Sequence, residues 1–231
     1  ETNMKVRQLF DQDTWTYTYL VWDEATKEAA IIDSVKEQVQ RDIKYIQDLG
    51  LNLKYALETH VHADHVTGAG QLRKQFDCKV GVHSDGGAKC ADIQLLDNQQ
   101  IKLGEQTIDV LHTPGHTNGD VTYAIDGALF TGDALLIRAC GRTDFQQGDS
   151  EVLYHSIIDK LFAYPDDTVV YPGHDYDGFT ESTIGEEKAN NPRLANNKPK
   201  EEFTAIMDNL DLPKPRRIDV AVPGNLVCGM T

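Results

Sequence analysis

Three histidines and an aspartate fall within six positions in Thr59-His60-Val61-His62-Ala63-Asp64-His65-Val66-Thr67-Gly68, directly after the apolar run Tyr55-Ala56-Leu57. Imidazole nitrogen and carboxylate oxygen are the usual protein ligands of zinc and iron. A β-strand alternates its side chains between faces, so an extended chain would project His60, His62 and Asp64 to one side. His65 follows one step on, where Thr67, Gly68 and Gly70 suggest a loop turning into a helix. A polar loop with scattered histidines is the bland alternative. The H-x-H-x-D-H spacing behind a strand instead predicts a metal site.

Three further segments end an apolar β-type run with a liganding residue beside glycine. They are His112-Thr113-Pro114-Gly115-His116-Thr117, Phe130-Thr131-Gly132-Asp133 and Tyr171-Pro172-Gly173-His174-Asp175. Glycine lets backbone approach a site closely or take positive φ, and proline stiffens the turn. Each segment alone reads as a turn. Three of them after the histidine motif point to loops converging on one centre. His83, His112 and His155 match no ligand motif.

The elements that must position these loops are legible in outline. Trp15 to Val21 is aromatic and β-branched, hence a strand, and Ala29 to Ile32 returns beside it after a polar turn. Ser34 and Glu37 have capping-box spacing, and Val35, Val39, Ile43, Ile46 and Leu49 form a helical stripe that stops at Gly50. Leu53 to Leu57 is the short strand delivering the motif, Leu72 and Phe76 belong to the helix after it, and Lys79 to His83 is another strand. From Ile101 to Asp133 the pattern is strand and turn throughout. Ser150 opens a helix with a buried stripe at Leu153, Ile157 and Leu161, and Thr168 to Tyr171 is one more strand. Beyond Glu181 the chain turns polar, helix-forming and proline-punctuated. This order suggests two sheets sandwiched between helices, an α/β chain with its chemistry in loops at strand ends. It divides as a main domain over 1–180 and a helical extension over 181–231 packed on it, of which Glu181 to Leu212 is expected to cover the mouth of the site.

Composition narrows the function classes. With 231 residues, 40% hydrophobic and 26% charged, the chain is large enough for one substantial core. No apolar run approaches the ~20 residues that span a bilayer, and the opening residues Glu1 to Lys5 do not read as a secretory signal. A net charge of −15 argues against nucleic-acid or anionic-membrane partners. Cys78, Cys90, Cys140 and Cys228 form no C-x-x-C pair, so all four are expected as reduced thiols of a cytosol-like compartment.

In this order, H-x-H-x-D-H, G-H-T, T-G-D and G-H-D resemble the metallo-β-lactamase superfamily, an αββα sandwich. The closer resemblance is to its glyoxalase II-like branch and, within that, to the persulfide dioxygenases. It is carried by Leu136-Ile137-Arg138-Ala139-Cys140-Gly141-Arg142-Thr143-Asp144-Phe145-Gln146-Gln147-Gly148, by Tyr171 to Tyr176, and by the tail from Asn191-Pro192-Arg193 to Cys228-Gly229. The resemblance implies one Fe(II) per chain, held by His60, His116 and Asp133. Two imidazoles and a carboxylate on one face also suit ferrous iron that activates O₂.

His62, Asp64, His65 and His174 are present as well. In glyoxalase II-like hydrolases such residues complete a two-metal site; in the dioxygenase reading they hydrogen-bond ligands, water or substrate. The reaction implied is oxidation of glutathione persulfide by O₂ and water to sulfite and glutathione, in sulfide catabolism. Arg138, Arg142, Arg193 and Tyr176 are the candidate substrate contacts, since guanidinium forks match carboxylates. The rivals are a dinuclear hydrolase of glutathione thioesters and a non-catalytic metal-binding or redox sensor module. The expected place is a bacterial cytoplasm or, after loss of a targeting peptide, a mitochondrial matrix; a homodimer is compatible with the sequence.

Overall fold

The computed structural model describes residues 3–230; Glu1, Thr2 and Thr231 lie outside the described residues. Among the described residues twelve strands form two six-stranded sheets. The first runs β1 (Met4–Asp11), β2 (Thr16–Asp23), β3 (Glu28–Ile32), β4 (Asn52–Leu57), β5 (Lys79–His83) and β6 (Ile93–Leu95) in spatial as well as chain order. The second comprises β7 (Gln100–Leu103), β8 (Gln106–His112), β9 (Val121–Ile125), β10 (Ala128–Gly132), β11 (Val169–Pro172) and β12 (Ser182–Thr183), likewise in chain order.

Period-two alternation sorts side chains into layers. Tyr17, Tyr19 and Val21 of β2, Ala30 and Ile32 of β3 and Leu57 of β4 meet Ile108, Val110, Val121 and Tyr123 of the second sheet in a central core. The opposite face of the first sheet, with Leu20, Ile31, Leu53 and Val80, is covered by α1 (Val39–Asp48) and α2 (Ala69–Phe76). The second sheet's outer face packs on α3 (Ser150–His155), continued by a π-helical turn over Ser156–Leu161; Leu153, Ile157 and Leu161 are all fully buried there. The result is a mixed α/β fold with two sheets between helical layers. Tyr17 and Tyr19 serve this packing, their hydroxyls donating to the carbonyls of Phe179 and Pro172.

Several local expectations are corrected. Ser34 caps no helix: its buried hydroxyl pairs with that of Thr67 at 3.3 Å, tying β3 to the metal loop, and α1 begins only at Val39. The cap of α3 is Asp149, whose carboxylate accepts from Val152 N. The tail divides between both outer layers. α4 (Ile184–Asn190) and α5 (Lys200–Asp208) join the layer of α3, whereas Val222 and Leu226 of α6 (Ile218–Leu226) pack against the core beside α1 and α2. Of the stretch from Glu181 to Leu212, only Arg193 and Leu212 reach the cavity above the metal site. No helix among the described residues is long and apolar enough to cross a membrane.

The expectation of four reduced cysteines is overturned. Cys90 and Cys228 form a disulfide, while Cys78 and Cys140 are free and buried. The pair is 138 residues apart in sequence, which is why spacing did not reveal it. In the chain-entropy account a closed loop of that length stabilises the fold by about 5 kcal/mol.

One buried charge weakens the fold. Asp42 in α1 is fully buried; Arg41 donates to Oδ1, while Oδ2 has no partner. Burial pushes its carboxyl up to about 6, and Arg41 only partly offsets this. A carboxyl raised on folding makes stability fall as pH rises from about 4, its value in the unfolded chain, to about 6, with the full cost above that. Asp42→Asn is therefore expected to gain on the order of 2–3 kcal/mol in urea unfolding at pH 8 and little at pH 4. An equal gain at both pH values would place the cost in packing rather than charge.

Candidate metal centre

β4 ends at Leu57, and the histidine motif runs on as a bent loop rather than an extended strand. The projection of His60, His62 and Asp64 to one side therefore does not occur. His60 turns toward the second sheet, while His62 turns inward, its Nε2 lying 3.0 Å from Asp33 Oδ1 and 3.1 Å from Glu58 Oε2. The two sheets are stitched together at this end, with Tyr17 N donating to Gly173 O and Thr16 bridging to His174.

Three donor atoms converge. His60 Nε2 and His116 Nε2 each lie 3.5 Å from Asp133 Oδ2. Both imidazoles are pinned through their other nitrogen. His116 Nδ1 donates to Arg142 O at 2.6 Å. The Thr59 hydroxyl donates to Asp33 Oδ2 at 2.7 Å and so accepts from His60 Nδ1 at 2.9 Å. These bonds place both protons on Nδ1 and leave both Nε2 lone pairs facing the carboxylate, the usual tautomer of a metal-binding histidine. Burial and neighbouring His62 push the His60 pKa well below its ordinary value, which keeps that lone pair free. Burial alone would raise the Asp133 carboxyl, but His174, His60 and His116 hold it below the usual carboxylate range. Two imidazole nitrogens and one carboxylate oxygen with open space above fit a facial ferrous site.

The remaining candidates form a second group. His174 Nδ1 donates to Asp133 Oδ1 and Nε2 to Asp64 Oδ2, both at 2.6 Å. Burial disfavours the imidazolium, yet Asp133 and Asp64 raise its pKa well above normal. With both nitrogens facing carboxylates, His174 bridges Asp133 and Asp64. Asp64 Oδ1 lies 3.1 Å from His65 Nδ1, and Thr16 Oγ1 sits within 3.5 Å of Asp64, His65 and His174. His62 Nδ1 and His65 Nε2 are buried without partners.

Backbone geometry makes this closeness possible. Gly132, at φ +54, and Gly173 flank the ligand; a Cβ on Gly173 would lie 2.8 Å from Asp133 Oδ1. The glycines next to the ligands therefore serve close approach as much as turning.

A cavity of about 920 Å³ opens above the three donors. Arg142, Arg193 and Tyr176 line it; Arg138 does not. Arg138 pairs with Glu187, a fully buried carboxylate that needs a cation. Arg142 bonds Asp144 and the carbonyls of Leu212 and Pro213, and Arg193 donates to Cys140 O. Tyr176 is 64% exposed and lies parallel to the His174 ring. Sequence reasoning missed Trp15, Arg216 and Arg217 in this wall, as well as Asp33, Thr59 and Asn225 behind the ligands. Thr59 adjoins the first ligand and could have been found; the others carry no local signal.

Residues 16–174 match the metallo-beta-lactamase superfamily model. A mitochondrial persulfide dioxygenase, ETHE1 of Homo sapiens, is 48% identical over 228 residues, which cover 97% of this chain and 89% of that one. The crystal structure of ETHE1 from Myxococcus xanthus superposes with a TM-score of 0.95 at 49% identity, covering 97% of this chain and 99% of that one. A hydroxyacylglutathione hydrolase of Haemophilus influenzae is more distant, 37% identical over 76% of this chain and 91% of its own. The chain belongs to the metallo-beta-lactamase superfamily and, within it, to the persulfide dioxygenases.

Proposed function

We propose that the chain oxidises glutathione persulfide with O₂ and water to sulfite and glutathione at one ferrous ion, held by His60 Nε2, His116 Nε2 and Asp133 Oδ2. The observation that carries the single-ion reading is His174, which donates from both ring nitrogens and so is occupied as a bridge between Asp133 and Asp64. The ion, when bound, supplies the redox chemistry that joins O₂ to the persulfide sulfur. The protein supplies placement and charge. His174, as a cation, offsets the Asp133 and Asp64 carboxylates, so an anionic persulfide meets less repulsion at the floor of the cavity. Arg142, Arg193 and Tyr176 are the proposed contacts for the glutathione part, with Arg216 and Arg217 adding positive charge at the rim of an acidic protein. The compartment proposed is the cytoplasm of a bacterium or a mitochondrial matrix, the latter in line with the mitochondrial relatives.

The dinuclear hydrolase reading keeps one specific observation in its favour, the unpartnered nitrogens His62 Nδ1 and His65 Nε2. Anaerobically purified protein decides between the two. About one iron per chain and persulfide-dependent O₂ uptake, with no thioester cleavage, are expected. Two metals per chain with thioester hydrolysis and no O₂ uptake would overturn the dioxygenase reading.

A further inference from the structure

The loop that carries the ligands is held from behind by the far end of the chain. Asn225, 5% exposed in α6, donates from Nδ2 to the carbonyls of His62 and His65 at 2.9 and 2.8 Å. Its Oδ1 accepts from Thr67 N at 2.7 Å. Gly70 N donates to Cys228 O at 2.9 Å, and Gly229, at φ +77, lies so close to Thr67 O that a Cβ has no room. Residues 225–229 are thus moulded to residues 62–70.

The segment making these contacts has little rigidity of its own. α6 is nine residues long with Pro223 inside it, and Val220 and Val227 are exposed. A helix that short and interrupted depends on tertiary anchors. Beyond the hydrogen bonds of Asn225 and Cys228 O, its anchors are the apolar contacts of Val222 and Leu226 and the Cys90–Cys228 disulfide. The mostly exposed strap leading into it places Leu212, Pro213, Arg216 and Arg217 in the cavity wall.

We propose that the Cys90–Cys228 disulfide is a thiol-exchange site through which small thiols set how firmly the centre retains its metal, by way of Asn225. The inference needs only a bound metal and a thiol, so it stands whether or not the dioxygenase reading does. Cys90 is half-buried and Cys228 is 2% exposed, so an incoming thiolate attacks Cys90 Sγ. As the new sulfur–sulfur bond to Cys90 forms, the bond to Cys228 breaks, and Cys228 leaves as a thiolate that takes up a proton. A second thiolate attacks the small-molecule sulfur of the mixed disulfide. It releases Cys90 as a thiol and a small-molecule disulfide. Two thiols are oxidised and one protein disulfide is reduced. With Cys228 free, the end of α6 detaches from the loop, and the His62, His65 and Thr67 backbone loses the three bonds from Asn225.

The test uses iron-loaded protein equilibrated anaerobically in glutathione/glutathione disulfide buffers of stepped ratio. Thiols are counted by alkylation and mass spectrometry, and iron release to a ferrous chelator is timed. The expected thiol count rises from two, Cys78 and Cys140, to four, and iron release quickens by about tenfold as it does. Protease cleavage within 211–217 should rise in parallel. Cys90→Ser should release iron at the faster rate in every buffer, and Asn225→Ala should do so with the disulfide intact. Cys90→Ser is the cysteine variant of choice because it spares the buried Cys228. A thiol count fixed at two, release rates equal in reduced and oxidised protein, or iron loss only on global unfolding by circular dichroism would each overturn the proposal.

Discussion

Asp133→Ala is expected to abolish iron retention and activity together, whereas His174→Ala keeps most of its iron and loses only part of the rate. Asp133 Oδ2 faces the Nε2 atoms of His60 and His116 and, among the described residues, is the carboxylate oxygen grouped with them to balance the charge of an ion held there. Its removal leaves two imidazoles without the carboxylate, and His174 loses one of its two anions. His174 touches the ligand rather than supplying a donor, so its loss is expected to cost about 10–100-fold in affinity or activity, the range for groups that orient a ligand. For Asp133→Ala the loss of affinity is expected to exceed that range. Metal analysis after dialysis against a chelator, alongside persulfide-dependent O₂ uptake, reads both. Equal iron loss in the two variants would make His174 a ligand and transfer the argument to a two-metal centre.

Asp33→Ala is expected to cost about 3–5 kcal/mol of stability, the penalty for leaving a buried charge without its partner. Asp33 lies behind the centre and accepts from Thr59 N and Thr59 Oγ1, both at 2.7 Å, besides facing His62. Burial acts against the charge on each member of the group. Even so, Asp33 and Glu58 raise His62 well above its ordinary pKa, and His62 holds Asp33 below its own. Burial leaves the Glu58 carboxyl raised. Without Asp33, the His62 cation keeps only Glu58, and the Thr59 hydroxyl is free to turn its proton toward His60 Nδ1, favouring the wrong tautomer. Stability and metal affinity should therefore fall together, measured by urea unfolding of the metal-free protein and by chelator competition. A loss below about 1 kcal/mol would show that the triad is not a charged network.

The order of loops at the centre was legible in the sequence because each metal-type residue sits just past the end of an apolar run, three of them directly after a glycine. His116, Asp133 and His174 each directly follow a glycine, after β8, β10 and β11, while His60 lies three residues past β4 in the H-x-H-x-D-H motif. A run of alternating β-formers must stop where the chain leaves the sheet, and a loop is where backbone is free to approach a ligand. The strand pattern around these runs, and the stripe of Leu153, Ile157 and Leu161, also follow from local period alone.

Tertiary structure decided which of these residues face one another and in what protonation state. Nothing local separates His60 from His62, two residues apart. The direction each takes is set by Asp33 on β3's end and Asp133 on the other sheet. The tautomers of His60 and His116 depend on the Thr59 hydroxyl, Asp33 and the Arg142 carbonyl, and so on contacts up to 27 residues away in sequence. The Cys90–Cys228 pair and the hold of Asn225 on the metal loop span still longer separations, 138 residues for the disulfide. Ligand types and loop positions are written in short-range chemistry; ligand count, charge and buttressing arise only when distant segments desolvate one another.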